Sequence, residues 1–232
     1  MIDLKKIPKI IQKRIKTSSE NLPKHIIIST ENQDESQDPE NKSDIYKKRL
    51  NNLYELIKTQ VEINIPILTI SLGKSENFID QKMFYEFIDS LLMEFAVKNK
   101  VRVSFVGKWY SLKGMTVEGI KKIVNETCDF DKFFLNICIN YDGQEEIADA
   151  CRVIIRKVYD NRLKPDSINK EILKENLYSS YFIPADLIIE MSDRFTGTFL
   201  WDSEDSKIFF AIKKFENFSR GEFNKAIEYF RK

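Results

Sequence analysis

The sequence predicts a single α/β domain: a mostly parallel sheet of about six strands with helices on both faces. Two observations predict it. Short apolar runs rich in Ile, Val, Leu and Phe alternate with longer stretches whose apolar residues recur at helical spacing. With 232 residues, 42% of them hydrophobic, the chain can bury one sizeable core, and neither an internal repeat nor a linker divides residues 1–232 into two units.

Residues 1–17 read as a basic amphipathic helix. Ile7, Ile10, Ile11 and Ile15 share one face, with Lys5, Lys9, Lys13 and Arg14 around them. Such a helix lies on an anionic membrane surface or packs its stripe on the domain, and the sequence leaves both open. HIIIST (25–30) is the first strand, and the acidic loop 31–44 follows it with six carboxylates, one lysine and no large apolar side chain. A helix is predicted over 45–63, then the strand PILTISL (66–72). In 79–98, Phe84, Phe87, Ile88, Leu91, Leu92 and Phe95 keep helical spacing and read as core. VRVSFV (101–106), a helix over 116–127 and FFLNICIN (133–140) come next. The helix 144–159 presents Ile147, Ala150, Cys151, Ile154, Ile155 and Val158 as its core face. SINKEILKENL (167–177) opens a further helix with Ser167 as N-cap. The strands DLIIEM (186–191) and KIFFAI (207–212) complete the sheet. Phe209, Phe210, Phe215 and Phe218 fall within twelve residues, more than a monomer is expected to bury, so this segment is predicted to carry a subunit interface.

Charge and composition exclude several functions. Thirty-seven Lys and Arg against 36 Asp and Glu give no bulk attraction to nucleic acid, and no nucleic-acid partner is expected. His25 is the only histidine, which makes a zinc site or a Ser-His-Asp triad improbable. Cys128, Cys138 and Cys151 have no CxxC spacing and read as reduced thiols. No run of about 18 apolar residues appears, and 1–17 lacks a signal-peptide core, so a cytoplasmic location is expected, membrane-peripheral if the first helix is a surface anchor.

The stretch LNICINYDGQEEIADACRVIIRKVYDNRLKPDSINKEILKENLY (135–178) resembles the cis-prenyltransferases, the undecaprenyl diphosphate synthase family, which carry LNIALNYGGRxEIVDAxRxI and a later helix ending in LYT. Other pieces follow in collinear order. PKHIIISTEN is similar to PxHIAIIMDGN, ILTISLGKSENF (67–78) to LTLYAFSTENW, and VRVSFVGKWYSL (101–112) to VRLRFIGDxSRL. PADLIIEMS (184–192) is similar to PDLLIRTSG, FLW (199–201) to FLLW and SKIFF (206–210) to SELYF. The resemblance implies transfer of isopentenyl diphosphate units, in cis, to an allylic diphosphate. That chemistry needs arginines, backbone N–H groups and Mg²⁺ around the diphosphates and an apolar tunnel for the growing chain.

The same resemblance shows what is missing. The family's catalytic Asp falls on Glu31, the one candidate here for a catalytic and Mg²⁺-binding carboxylate. Its phosphate-facing glycines become Asn32 and Asp34, and the neighbouring arginine becomes Glu35. A histidine aligns with Tyr46. Ser75, Glu76 and Asn77 survive as candidate substrate-binding residues, but the next arginine is Asp80. Further arginines become Gln144 and Glu190, and the Mg²⁺-binding glutamate of SELYF becomes Lys207. Arg194, or the cluster Lys47, Lys48 and Arg49, offers substitute cations or else solvated faces. Retained Asn140 and Tyr141 are expected to serve the fold.

The losses share one sign, and they imply a homologue that is catalytically silent alone and acts as a subunit of a prenyltransferase dimer, with itself or with an intact paralogue. A divergent but active synthase and an isoprenoid- or lipid-binding module are the rival readings. No cofactor is expected unless the chain is active, when it would need Mg²⁺. The chain ends in YFRK without the R-x-G that degenerate eukaryotic partners donate, so the support expected of it is stabilising or positioning.

Overall fold

The computed structural model describes residues 9, 11–12, 21–30, 42–73 and 80–232. Six parallel strands form one sheet: β1 (His25–Ser29), β2 (Ile67–Ser71), β3 (Val101–Gly107), β4 (Phe133–Ile139), β5 (Leu187–Glu190) and β6 (Lys207–Phe210). Their order is β3-β4-β2-β1-β5-β6. Each lies within one of the apolar runs or extends it by a single residue, because a strand buried on both faces must be apolar throughout.

One face of the sheet is covered by α1 (Lys42–Glu62), α2 (Gln81–Phe87), α3 (Met93–Asn99), α4 (Gly114–Thr127) and α7 (Arg220–Arg231). Ile26, Ile28, Leu68, Ile70, Leu135 and Ile189 meet Leu53, Phe84, Ile120 and Phe223 there. From β4 the chain returns across the sheet to β5, and a right-handed crossover in that direction puts α5 (Gly143–Tyr159) and α6 (Lys170–Glu175) on the opposite face. A smaller cluster of Ile27, Cys138, Tyr141, Phe182, Ile188 and Phe199 fills that side.

Several expectations are corrected. The acidic loop ends earlier than residue 44, because Lys42 already begins α1 and Asp44 sits in its first turn, where a carboxylate favours the helix dipole. Residues 31–41 of that loop lie outside the described residues, as does most of 1–17. Of the N-terminal stripe, Ile11 is helical and buried against Ile67, Phe134 and Ile183, so at that position the stripe packs on the domain. A π-turn, Ile88–Leu92, joins α2 to α3 and shifts the helical phase, so Leu92 is buried and Leu91 exposed. Asn169, not Ser167, caps α6 by accepting from the Ile172 N–H at 2.9 Å, while the Ser167 hydroxyl donates to Lys164 O. In α5 only Ala150 and Ile154 of the predicted core face are buried; Cys151 and Ile155 are exposed.

In the segment 207–218 the fold covers three of the four phenylalanines. The single chain buries Phe215 and Phe218 in the main core and packs Phe209 on Tyr229, leaving Phe210 exposed. The element that achieves this is α7, which no apolar run announced. Its start was nonetheless legible as the capping box Ser219-Arg-Gly-Glu222.

Candidate functional site

In an open parallel sheet, ligands bind outside the carboxyl ends of the strands, where neighbouring connections leave in opposite directions. Here that place lies between β1 and β5: β1 leads to β2 on one side, and β5 leads to β6 on the other. Ser29 and Glu190 are paired in register at that crevice.

The loop after β5 folds back over the pair. Thr196 and Thr198 bring two hydroxyls to Ser29 Oγ, at 3.1 and 2.9 Å, and stand 3.1 Å from each other. The Thr196 hydroxyl lies 3.1 Å from both carboxyl oxygens of Glu190, and the Thr196 N–H donates to Oε1 at 3.4 Å. Glu190 has no exposed surface, and burial pushes its carboxyl pKa up, against the smaller opposing pull of Thr196 and Ser29. Among the described residues, no ion pair with a cation is found for it.

Next to this ring, Thr30 Oγ1 donates to Ser71 O at 2.8 Å and the Asn140 N–H to Gly73 O at 2.9 Å, fixing the ends of β1, β2 and β4. Asn140 also donates through Nδ2 to Ser111 Oγ, and Tyr141 donates to Glu146 at 2.6 Å while stacking on Phe199. Both residues serve the fold, as expected. Gly143, the first residue of α5, approaches Gly197 so closely that a Cβ would lie 2.2 Å from its carbonyl oxygen, which ties α5 to the threonine loop.

The predicted site residues fare unequally. Glu31, Ser75, Glu76 and Asn77 lie outside the described residues; in sequence they follow the carboxyl ends of β1 and β2. Arg194 is exposed on the loop that carries the threonines, its N–H donating to Ser192 Oγ. Of the substitute cations, Arg49 is no solvated side chain: it is buried in an ion pair with Glu216 at 3.1 Å, and Lys47 faces Asp44. The positions where the resemblance reads a reversed charge have other uses. Asp80 caps α2 by accepting from the Met83 N–H, and Lys207 donates to Phe230 O at 2.8 Å. His25 is fully buried and hydrogen-bonded through both ring nitrogens. Its Nδ1 donates to Ile183 O and its Nε2 accepts from Thr69, whose oxygen in turn accepts from Asn136. Ser29, Thr196 and Thr198 were missed; single hydroxyl residues give no sequence signal.

The donor set does not fit Mg²⁺ among the described residues. No three carboxylate, histidine or cysteine side chains converge there, and the ring offers one carboxyl and three hydroxyls. What the ring can do is accept or share protons within itself. It presents no positive charge to a phosphate.

A family model described as "Putative undecaprenyl diphosphate synthase" matches residues 34–232. The tritrans,polycis-undecaprenyl-diphosphate synthase (geranylgeranyl-diphosphate specific) of Methanocaldococcus jannaschii is 29% identical over 97% of this chain and 85% of its own length. The protein of the same name from Picrophilus torridus is 31% identical over 75% of this chain and 73% of its own. Among solved structures, lavandulyl diphosphate synthase from Lavandula x intermedia, in complex with dimethylallyl diphosphate, shares the fold with a TM-score of 0.80 at 21% identity, over 92% of this chain and 97% of that one. The chain belongs to the undecaprenyl diphosphate synthase family, the cis-prenyltransferases.

Proposed function

We propose that the chain is a cis-prenyltransferase homologue of polyprenyl diphosphate biosynthesis that is silent alone and serves as a subunit of a prenyltransferase dimer. Glu190 carries this reading. Prenyl transfer expels pyrophosphate, and its negative charge must be met by cations and N–H groups as the carbon–oxygen bond breaks. At the crevice the fold reserves for a ligand, this chain buries a carboxyl bonded to the Thr196 and Ser29 hydroxyls, with Thr198 bonded in turn to both of these. Each charge-assisted contact missing from such a site costs about 1.5–3 kcal/mol of binding, and a carboxylate there adds repulsion. The exposed Cys128 and Cys151 and the buried Cys138 form no disulfide, which suits a reducing cytoplasmic setting. No helix among the described residues is long and apolar enough to cross a membrane.

A radiolabelled prenyl-transfer assay tests the proposal, with the chain alone and with an intact family member from the same cell. No product is expected from the chain alone. Product from the chain alone would replace this reading with that of a divergent active synthase. Glu31→Ala should then abolish the activity, since Glu31 is the only counterpart of the family's catalytic carboxylate.

A further inference from the structure

Residues 192–198 link β5 to the 3-10 turn Leu200–Ser203 and lie over the crevice. Ser29, Glu190 and Thr198 have no exposed surface, while Asp193 and Arg194 at the outer bend are exposed. Among the described residues, no backbone–backbone hydrogen bond joins 192–198 to the rest of the chain. The bond before this segment runs from the Met191 N–H to Ser29 O, and the bond after it from the Asp202 N–H to Phe199 O. What holds the segment down runs through side chains. Thr196 bonds Glu190 and Ser29, Thr198 bonds Ser29, and Phe195 packs half-buried on the cluster that holds Ile27 and Ile188. A loop fastened in this way opens at far smaller cost than a strand in its ladder.

Both ends of the segment are fixed. Met191 is tied to β1, and Phe199 is held by packing. Phe199 has φ 52° and ψ 47°, the left-handed region that a bulky side chain rarely adopts. Its ring is fully buried, stacked on Tyr141 at 4.6 Å and 5.7 Å from Phe182, and Tyr141 is held in turn by Glu146. Such a backbone persists only where the surroundings over-determine it. Between the two fixed ends, Gly197 at φ 85° makes the bend that turns both threonines toward Ser29.

We propose that residues 192–198 form a strap, pinned at Met191 and Phe199, that closes the crevice over Ser29 and Glu190 and lifts as a unit while the sheet stays folded. Lifting frees the Glu190 carboxyl and the Ser29 hydroxyl from the threonines, so the strap gates access to the crevice. The inference goes beyond the functional reading above and holds whether or not the chain transfers prenyl groups.

Thiol labelling of the full chain tests it. In a Cys128→Ser, Cys151→Ser background, Ser29→Cys places a thiol under the strap, and Cys138, fully buried in β4, reports unfolding of the sheet. With iodoacetamide, read by mass spectrometry, the thiol at position 29 should react about a hundredfold faster than Cys138 or more. It should react about a hundredfold slower than the exposed Cys128 of the unsubstituted chain. Low urea should speed Cys138 and leave position 29 unchanged, because lifting the strap exposes little surface. Thr196→Val should speed position 29 about tenfold. Ile120→Val, on the opposite face of the sheet, should speed Cys138 alone. Equal rates and equal urea dependence at the two thiols overturn the proposal, since the crevice then opens only with the sheet. Reaction at position 29 as fast as at Cys128 overturns it too, and so does a rate that Thr196→Val leaves unchanged. Hydrogen exchange in the unsubstituted chain needs no cysteine and gives a second reading. The Thr196 N–H should exchange independently of low urea, whereas the Ile137 N–H, in a strand paired on both sides, should follow global unfolding. A common urea dependence at the two amides would contradict the strap.

Discussion

The two ends of the sheet's more polar face hold two buried polar networks, and they differ in that one of them contains a carboxyl. At the amino end, His25, Thr69 and Asn136 match donors to acceptors with no formal charge, because burial lowers the His25 pKa and keeps the ring neutral. At the carboxyl end, Glu190 is bonded to Thr196 and Ser29, Thr198 is bonded to both of those hydroxyls, and among the described residues the carboxyl meets hydroxyl and N–H donors without a cation. A neutral, fully matched network stabilises the fold. A buried carboxyl whose partners are hydroxyls and an N–H adds little to stability.

Both networks rest on the apolar face, and breaking that should cost most. Phe84 is fully buried, stacked on Phe87 and edge-on to Phe105, so Phe84→Ala should lose about 3–5 kcal/mol in denaturant unfolding. At the amino-end network, Thr69→Val leaves both His25 Nε2 and Asn136 Nδ2 without this partner, at about 1–3 kcal/mol. The His25 term also sets a pH dependence. The unfolded chain takes up a proton at 6.5 and the fold only at lower pH, so stability should fall as the pH drops below 6.5.

At the carboxyl end the sign reverses. Burial raises the Glu190 pKa above 4.5, so below that pH the carboxyl is protonated in both states and costs nothing. As pH rises the unfolded chain ionises first, and stability is lost. Glu190→Gln should therefore melt higher than wild type at neutral pH, with the gain gone below pH 4.5. Equal melting temperatures at both pH values would mean that Glu190 is not held in the ring described here.

The fold was legible because buried parallel strands write themselves as apolar runs, and all six were placed to within about two residues. Periodicity served less well where local geometry departs from an ideal helix or where a face is apolar without being covered. The π-turn at Ile88–Leu92 threw Leu91 out of phase, and α5 displayed more apolar residues than its own chain buries. α7 was missed because Phe223, Ala226, Ile227 and Phe230 are interleaved with charge, though its capping box was readable. At the site, Glu190 stood out through its alignment with a family arginine, whereas Ser29, Thr196 and Thr198 come together only through the fold-back of the loop after β5.

The central claim is that this member of the family has given up its anion cradle. Calorimetric titration of the purified chain with isopentenyl diphosphate in the presence of Mg²⁺ tests it most directly. The account predicts affinity no better than about millimolar, the loss of several kcal/mol that missing cations bring; affinity in the low-micromolar range would contradict it.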